Sequence, residues 1–166
     1  MNKEQKRKVQ LQQRTFNESL TFQTMFGAKQ KFDSLTPEIE TRIKEELLVF
    51  ANLGIAKDLM TLRDVMDKVK EQLGYSAEPS KGILAGSYVA YCLGLEPSNP
   101  MVTGKELEPK DFQVTLPLGL TICYDNEVRN EVVNWMKEHG CEFTTYMSQP
   151  MLKLENTRVI IRRVLK

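Results

Sequence analysis

Between residues 36 and 73 apolar side chains return every three or four positions: Ile39, Ile43, Leu47 and Phe50, then Leu62, Val65, Met66, Val69 and Leu73. That period predicts two amphipathic helices whose stripes face a common core. Thr36-Pro37-Glu38 offers a hydroxyl cap, a proline where a missing N–H costs nothing, and an acid in the first turn, so the first helix starts there and stops at Gly54. The second runs from about Lys57 or Met60 to Leu73, with Gly74 just past its end. Upstream, residues 1–33 lack a steady period and are rich in Lys, Gln, Asn and Thr. They read as a basic N-terminal arm, helical in part, leading into a single domain over residues 34–166.

Pro79 and Gly82 break the chain before an apolar segment, 85–93, short enough for one buried helix. Pro97, Pro100 and Pro109 mark 96–111 as a loop. Residues 112–124 are β-branched and partly alternating, which predicts one strand, or two parted at Pro117-Leu118-Gly119. A helix follows from Asp125-Asn126 to about His139 with Val128, Val132, Trp135 and Met136 inward, and 142–148 reads as a further strand. Asn156-Thr157 lies between two apolar runs, which suggests a C-terminal β-hairpin; Met151, Arg158 and Arg162 also fit the face of a helix, and the hairpin is preferred. The class is therefore α+β, with helices packed on a small mixed β-sheet.

The chain has 166 residues, 41% of them hydrophobic and 27% charged, which suits one globular domain. No apolar run approaches the roughly 18 residues of a membrane span, and residues 1–13 are polar and basic without the apolar stretch of a secretory signal. A cytoplasmic protein without a membrane partner is expected. The net charge of +1 conceals basic ends. Residues 1–20 carry +3 through Lys3, Lys6, Arg7, Lys8 and Arg14 against Glu4 and Glu18. Residues 153–166 carry +4 through Lys153, Arg158, Arg162, Arg163 and Lys166 against Glu155, leaving −6 between. Such ends suit phosphate contact, with Lys6, Arg7, Lys8, Arg158, Arg162 and Arg163 as candidate nucleic-acid contacts; a solvated face has the same composition.

Cys92, Cys123 and Cys141 are odd in number, far apart and outside any C-x-x-C spacing, so neither a disulfide framework nor a thiolate zinc site is expected, and no other cofactor is indicated. His139, the one histidine, stands just before Gly140, where it suits the last turn of a helix. An enzyme built on His139, Cys123 or Cys141 has little support, because no acid–base pair converges in the sequence. The segment Lys81-Gly82-Ile83-Leu84-Ala85-Gly86-Ser87 carries more information. Gly-Ser before a small-residue helix lets backbone amides and a hydroxyl approach a phosphate, since glycine has no Cβ to hold an anion away.

Taken in order, these pieces resemble the first part of the palm of the bacterial DNA polymerase III alpha subunit, over roughly residues 36–140 and weakly on to the C-terminus. The family's E-R-x-x-x-E-L-x-x-I-x-x-M-G-F helix is similar to Thr41-Arg42-Ile43-Lys44-Glu45-Glu46-Leu47-Leu48-Val49-Phe50-Ala51-Asn52-Leu53-Gly54-Ile55. Its V-x-D-F-I-x-x-A-K-x-x-G-I helix is similar to the segment 62–75. Its G-P-G-R-G-S-A-A-G-S-L-V-A-Y-x-L-G-I block is similar to the segment 79–95, and its D-P to Asn99-Pro100. The resemblance implies a palm of the polymerase-beta-like nucleotidyltransferase type. It also implies triphosphate contact by the Arg and Ser of that block, which makes Lys81, Gly82, Gly86 and Ser87 the candidate phosphate-binding residues. Here Lys81 replaces the arginine, keeping the charge and losing the bidentate fork, and the first Gly-Ser has become Gly82-Ile83.

The family's P-D-I-D-I-D-F strand, as the resemblance implies, supplies carboxylates that hold two divalent ions for nucleotidyl transfer. This chain has Leu116-Pro117-Leu118-Gly119-Leu120-Thr121-Ile122-Cys123-Tyr124, then Asp125 at an expected helix cap. The metal positions fall on Leu118, Leu120 and Ile122, or on Gly119, Thr121 and Cys123, so no catalytic or metal residue is assigned. A chain of this length is expected to hold the palm region without the phosphoesterase, fingers and clamp-binding parts of that polymerase. Gln149-Pro150-Met151-Leu152-Lys153-Leu154 is similar to the Gln-x-x-Leu-x-Leu peptides that enter the sliding clamp, although a strand of the last hairpin accounts for it as well. The expected function is a non-catalytic palm-like module that serves DNA replication or a mobile element, with DNA or a replication protein as partner. The alternative is a small α+β protein-interaction domain with no nucleic-acid role.

Overall fold

A computed structural model describes residues 1–106, 108 and 116–165. Helix α1 (Lys3–Lys31) opens on a capping box, in which the Asn2 side chain accepts from Gln5 N–H at 2.8 Å and Gln5 Oε1 accepts from Asn2 N–H at 3.0 Å. At 29 residues it is about 44 Å long. Residues 1–15 are exposed throughout, which is why no hydrophobic period marks them. From Leu20 onward the helix belongs to the core: Leu20, Thr24, Gly27 and Ala28 are buried, and α1 packs on α3 (Ala56–Leu73) and α4 (Tyr88–Leu93). Gly27 makes the closest approach, since a Cβ there would lie 2.1 Å from the carbonyl oxygen of Cys92.

The two periodic segments are helices, as their spacing predicts. α2 (Pro37–Leu53) is capped by Thr36, whose hydroxyl accepts from Ile39 N–H at 3.3 Å, and ends at Gly54 in the left-handed region with φ 69°. α3 ends at Gly74 with φ 80°. A single 3-10 turn (Ile83–Gly86) leads into α4, which is capped by Ser87. Inside the expected loop lies one helical turn, α5 (Pro100–Thr103), started by Asn99 and Pro100.

The sheet has the order β1-β4-β3-β2, from β1 (Leu118–Asp125), β2 (Phe143–Tyr146), β3 (Gln149–Lys153) and β4 (Thr157–Val164). β1 and β4 run parallel in the register Leu120↔Val159 and Cys123↔Arg162; the other pairs are antiparallel. The C-terminal segment is therefore a hairpin. The part of the expected strand at 112–115 lies outside the described residues. The helix placed after Asp125 begins later: α6 spans Arg129–Glu138, because Asp125 still belongs to β1 and its Oδ1 accepts from Glu127 N–H in a turn, so it caps no helix. α6 packs on β1, β4 and α3.

Leu118, Leu120, Ile122 and Tyr124 of β1 join Leu152, Val159 and Ile161 in one core with the apolar stripes of α2, α3 and α6. Asp58 ties that core to the hairpin turn, its Oδ2 accepting from Asn156 N–H at 2.7 Å and from the Thr157 hydroxyl at 3.1 Å. His139 follows the last residue of α6 and stacks on Trp135 with ring centroids 4.0 Å apart. Among the described residues no helix is long and apolar enough to cross a membrane.

Candidate phosphate site and basic groove

The loop before the 3-10 turn is pinned to the free edge of β1. Glu78 N–H donates to Cys123 O at 2.8 Å, the Ser80 hydroxyl donates to Thr121 O at 3.0 Å, and Gly82 N–H donates to Ser80 Oγ at 3.0 Å. From the other side the buried carboxylate of Glu96 accepts from Ser80 N–H at 3.1 and 3.2 Å and from Ser98 N–H at 3.4 Å. Burial, first among its influences, raises the Glu96 pKa. Gly82 then lies against Thr121, where a Cβ would come within 3.3 Å of that side chain.

Gly86 and Ser87 are buried, and Ser87 is 0% exposed. The Ser87 side chain accepts from Ala90 N–H at 3.1 Å. The amides of Tyr88 and Val89 donate to Glu46 Oε2 of α2, at 2.8 and 3.4 Å. An internal carboxylate and a hydroxyl thus hold the first amides of α4, the position where an anion is bound at a helix start. Glu46 is 1% exposed, and its Oε1 makes no hydrogen bond. Burial pushes its pKa to about 7, while the nearby Ser87 hydroxyl, the two amides and the Arg42 charge act the other way. Sequence reasoning passed over this carboxylate, although Glu46 falls on the apolar stripe of Ile39, Ile43, Leu47 and Phe50. A charged residue at a core position was the available signal.

The alternation of β1 decides which positions face Gly82. Leu118, Leu120 and Ile122 point into the core, whereas Gly119, Thr121, Cys123 and Asp125 occupy the opposite face. An exposed glycine, a half-buried hydroxyl and a buried thiol do not fit a pair of divalent ions, and Asp125 is engaged in its turn. Among the described residues no group of three or more His, Cys, Asp or Glu side chains has the arrangement to hold a metal ion.

Residues predicted separately as phosphate and nucleic-acid contacts are regrouped. Lys81 stays exposed and lines a groove of about 580 Å³ with Arg162 and Arg163 from the end of β4. Gly86 and Ser87 are not part of that groove. Arg158 is held by the hairpin turn, its guanidinium donating to Leu154 O at 2.6 Å and Thr157 O at 2.9 Å. Lys6, Arg7 and Lys8 are exposed near the start of α1, outside the groove. The clamp-like hexapeptide forms β3 and the residue after it, paired on both sides, with Leu152 1% exposed.

A scan against protein-family models matches the bacterial DNA polymerase III alpha NTPase domain over residues 18–153. The chain belongs to that family. The match takes in the second half of α1, which the motif comparison did not reach, and it includes Glu46, Lys81, Ser87, Glu96 and all of β1. It stops at the last residue of β3, so β4 with Arg162 and Arg163 lies beyond it. No curated protein matches the chain.

Proposed function

We propose that this member of the bacterial DNA polymerase III alpha family is non-catalytic and serves as an accessory or binding module in DNA replication or on a mobile element. The observation that carries the reading is the face of β1 turned away from the core, where Gly119, Thr121 and Cys123 stand in place of carboxylates. Two-metal nucleotidyl transfer needs acidic oxygens to fix both ions, and a thiol beneath a pinned loop supplies none. The engagement of the α4 amides by Glu46 and Ser87 supports the same view, since Gly86-Ser87 then serves helix packing. On this reading the exposed, basic start of α1 is an arm on a palm-like body, and the protein works in the cytoplasm, where replication occurs. A sliding-clamp contact through Gln149 to Leu154 would require β3 to leave the sheet, and the reading does not use it.

The test is primer extension on a primed template with labelled deoxynucleotides and Mg²⁺ or Mn²⁺. No incorporation above the protein-free background is expected. Divalent-dependent incorporation that survives repurification would refute the proposal. A second reading, a protein-interaction domain without a nucleic-acid role, is favoured by one observation: Phe22 and Phe26 on α1 are 71% and 55% exposed and stack with ring centroids 6.4 Å apart. Absence of DNA binding at low salt selects this second reading.

A further inference from the structure

Arg162 and Arg163 are consecutive residues near the end of β4, and both line the groove. The parallel register sets them beside Cys123 and Tyr124, at the end of β1 where Glu78 hooks on. Lys81 reaches the same groove from the pinned loop. Among the described residues none of the three forms an ion pair, and Glu78 is the one carboxylate in the lining. The field spreads inward as well: the Arg129 guanidinium, whose pKa is lowered first by burial, is lowered further by Arg163. Three cations sharing one cleft repel each other, and a polyanion converts that cost into attraction. The groove also has an apolar wall of Pro79, Val164 and Leu165, the last 85% exposed. A bare phosphate makes no use of such a wall, and a duplex keeps its bases stacked inside. An unpaired base has a face to lay on it.

We propose that this groove binds single-stranded nucleic acid, with backbone phosphates on Lys81, Arg162 and Arg163 and a base against the Pro79–Leu165 wall. The proposal rests on the replication reading for its choice of polyanion alone. Its two arginines lie past the matched segment, which ends at residue 153.

The experiment is fluorescence anisotropy with a labelled 20-nucleotide oligo-dT and the full chain, titrated over a salt series. The variants are Lys81→Gln with Arg162→Gln and Arg163→Gln, the same three positions with both arginines changed to Lys, and a control with Lys6, Arg7 and Lys8 all changed to Gln. All these positions are exposed, and far-UV circular dichroism verifies the fold. Each phosphate contact contributes about 0.7 to the slope of log affinity against log salt for single strands. The triple Gln variant is therefore expected to lose about 2 from the slope and about 100-fold in affinity at 0.1 M salt. The variant with lysines is expected to keep most of both. Unchanged affinity in the folded triple variant overturns the groove, as does loss of binding confined to the α1 control. Tighter binding to a duplex of equal length overturns the choice of a single strand. If the unaltered protein binds no DNA at 20 mM salt, the groove and the nucleic-acid branch fall together, while primer extension still judges catalysis independently.

Discussion

Glu46→Gln is the sharpest perturbation of the α2–α4 junction. The carboxylate is buried, its Oε2 accepts two amide hydrogen bonds, and its pKa stands at about 7 against an ordinary value of 4.5. A carboxyl whose pKa is raised by folding binds its proton more tightly in the native state. Its contribution is therefore greatest below about pH 4.5 and is lost as pH rises through about 7. The two pKa values correspond to about 3 kcal/mol, an order-of-magnitude figure. Glutamine keeps an oxygen for the Tyr88 and Val89 amides and never ionises, but it leaves its NH₂ unpaired where Oε1 has no partner, at about 1–2 kcal/mol. The parent is expected to be the more stable near pH 5, and Glu46→Gln to equal or exceed it near pH 8. Urea unfolding of both proteins from pH 5 to 8.5 measures this. Glu96 is also raised but is common to both, so it cancels in the difference. A stability difference that stays flat within about 0.5 kcal/mol over that range would refute the reasoning, since one pKa unit alone is worth about 1.4 kcal/mol.

Gly27→Ala is expected to lower stability by about 2 kcal/mol in the same assay, despite a gain of about 1 kcal/mol in helix propensity, because the new Cβ meets the Cys92 backbone and α1 must move off α4. Tyr124→Phe removes a hydroxyl that is fully buried and without a partner, so a gain of about 1 kcal/mol in unfolding free energy is expected, and a loss of that size would show that the hydroxyl is satisfied in solution. In the β2–β3 turn Met147 and Ser148 have φ of 48° and 65°, a conformation that favours Asn-Gly. Replacing them with Asn and Gly is expected to raise the melting temperature through about 1 kcal/mol of relieved strain.

Much of the scaffold was legible from local pattern. The stripes of α2 and α3, the Thr36-Pro37 start and the stops at Gly54 and Gly74 are each written in residues a few positions apart. Helix α1 was legible only in part, because its first half meets solvent on every side and its second half packs through small residues such as Gly27 and Ala28, which leave no hydrophobic period. The start of α6 was misplaced because an Asp that opens a turn and an Asp that caps a helix look alike in sequence. The candidate site was half legible: Lys81, Arg162 and Arg163 were each visible as cations, but no spacing rule joins a loop at 81 to a strand end at 163.

By itself, then, the sequence determined the α+β class, the family kinship and the absence of acids from residues 118–124, since each is a matter of residue identity within a short window. The tertiary structure decided what those residues do. It turned Leu118, Leu120 and Ile122 into core, set Thr121 against Gly82 and paired Cys123 with Glu78. It placed Glu46 on the amides of α4, and it drew three cations from distant segments into one groove. The physical reason is that helix and strand periods decide only which side a residue faces. What lies on that side depends on strand register and helix packing, which couple positions far apart in the chain.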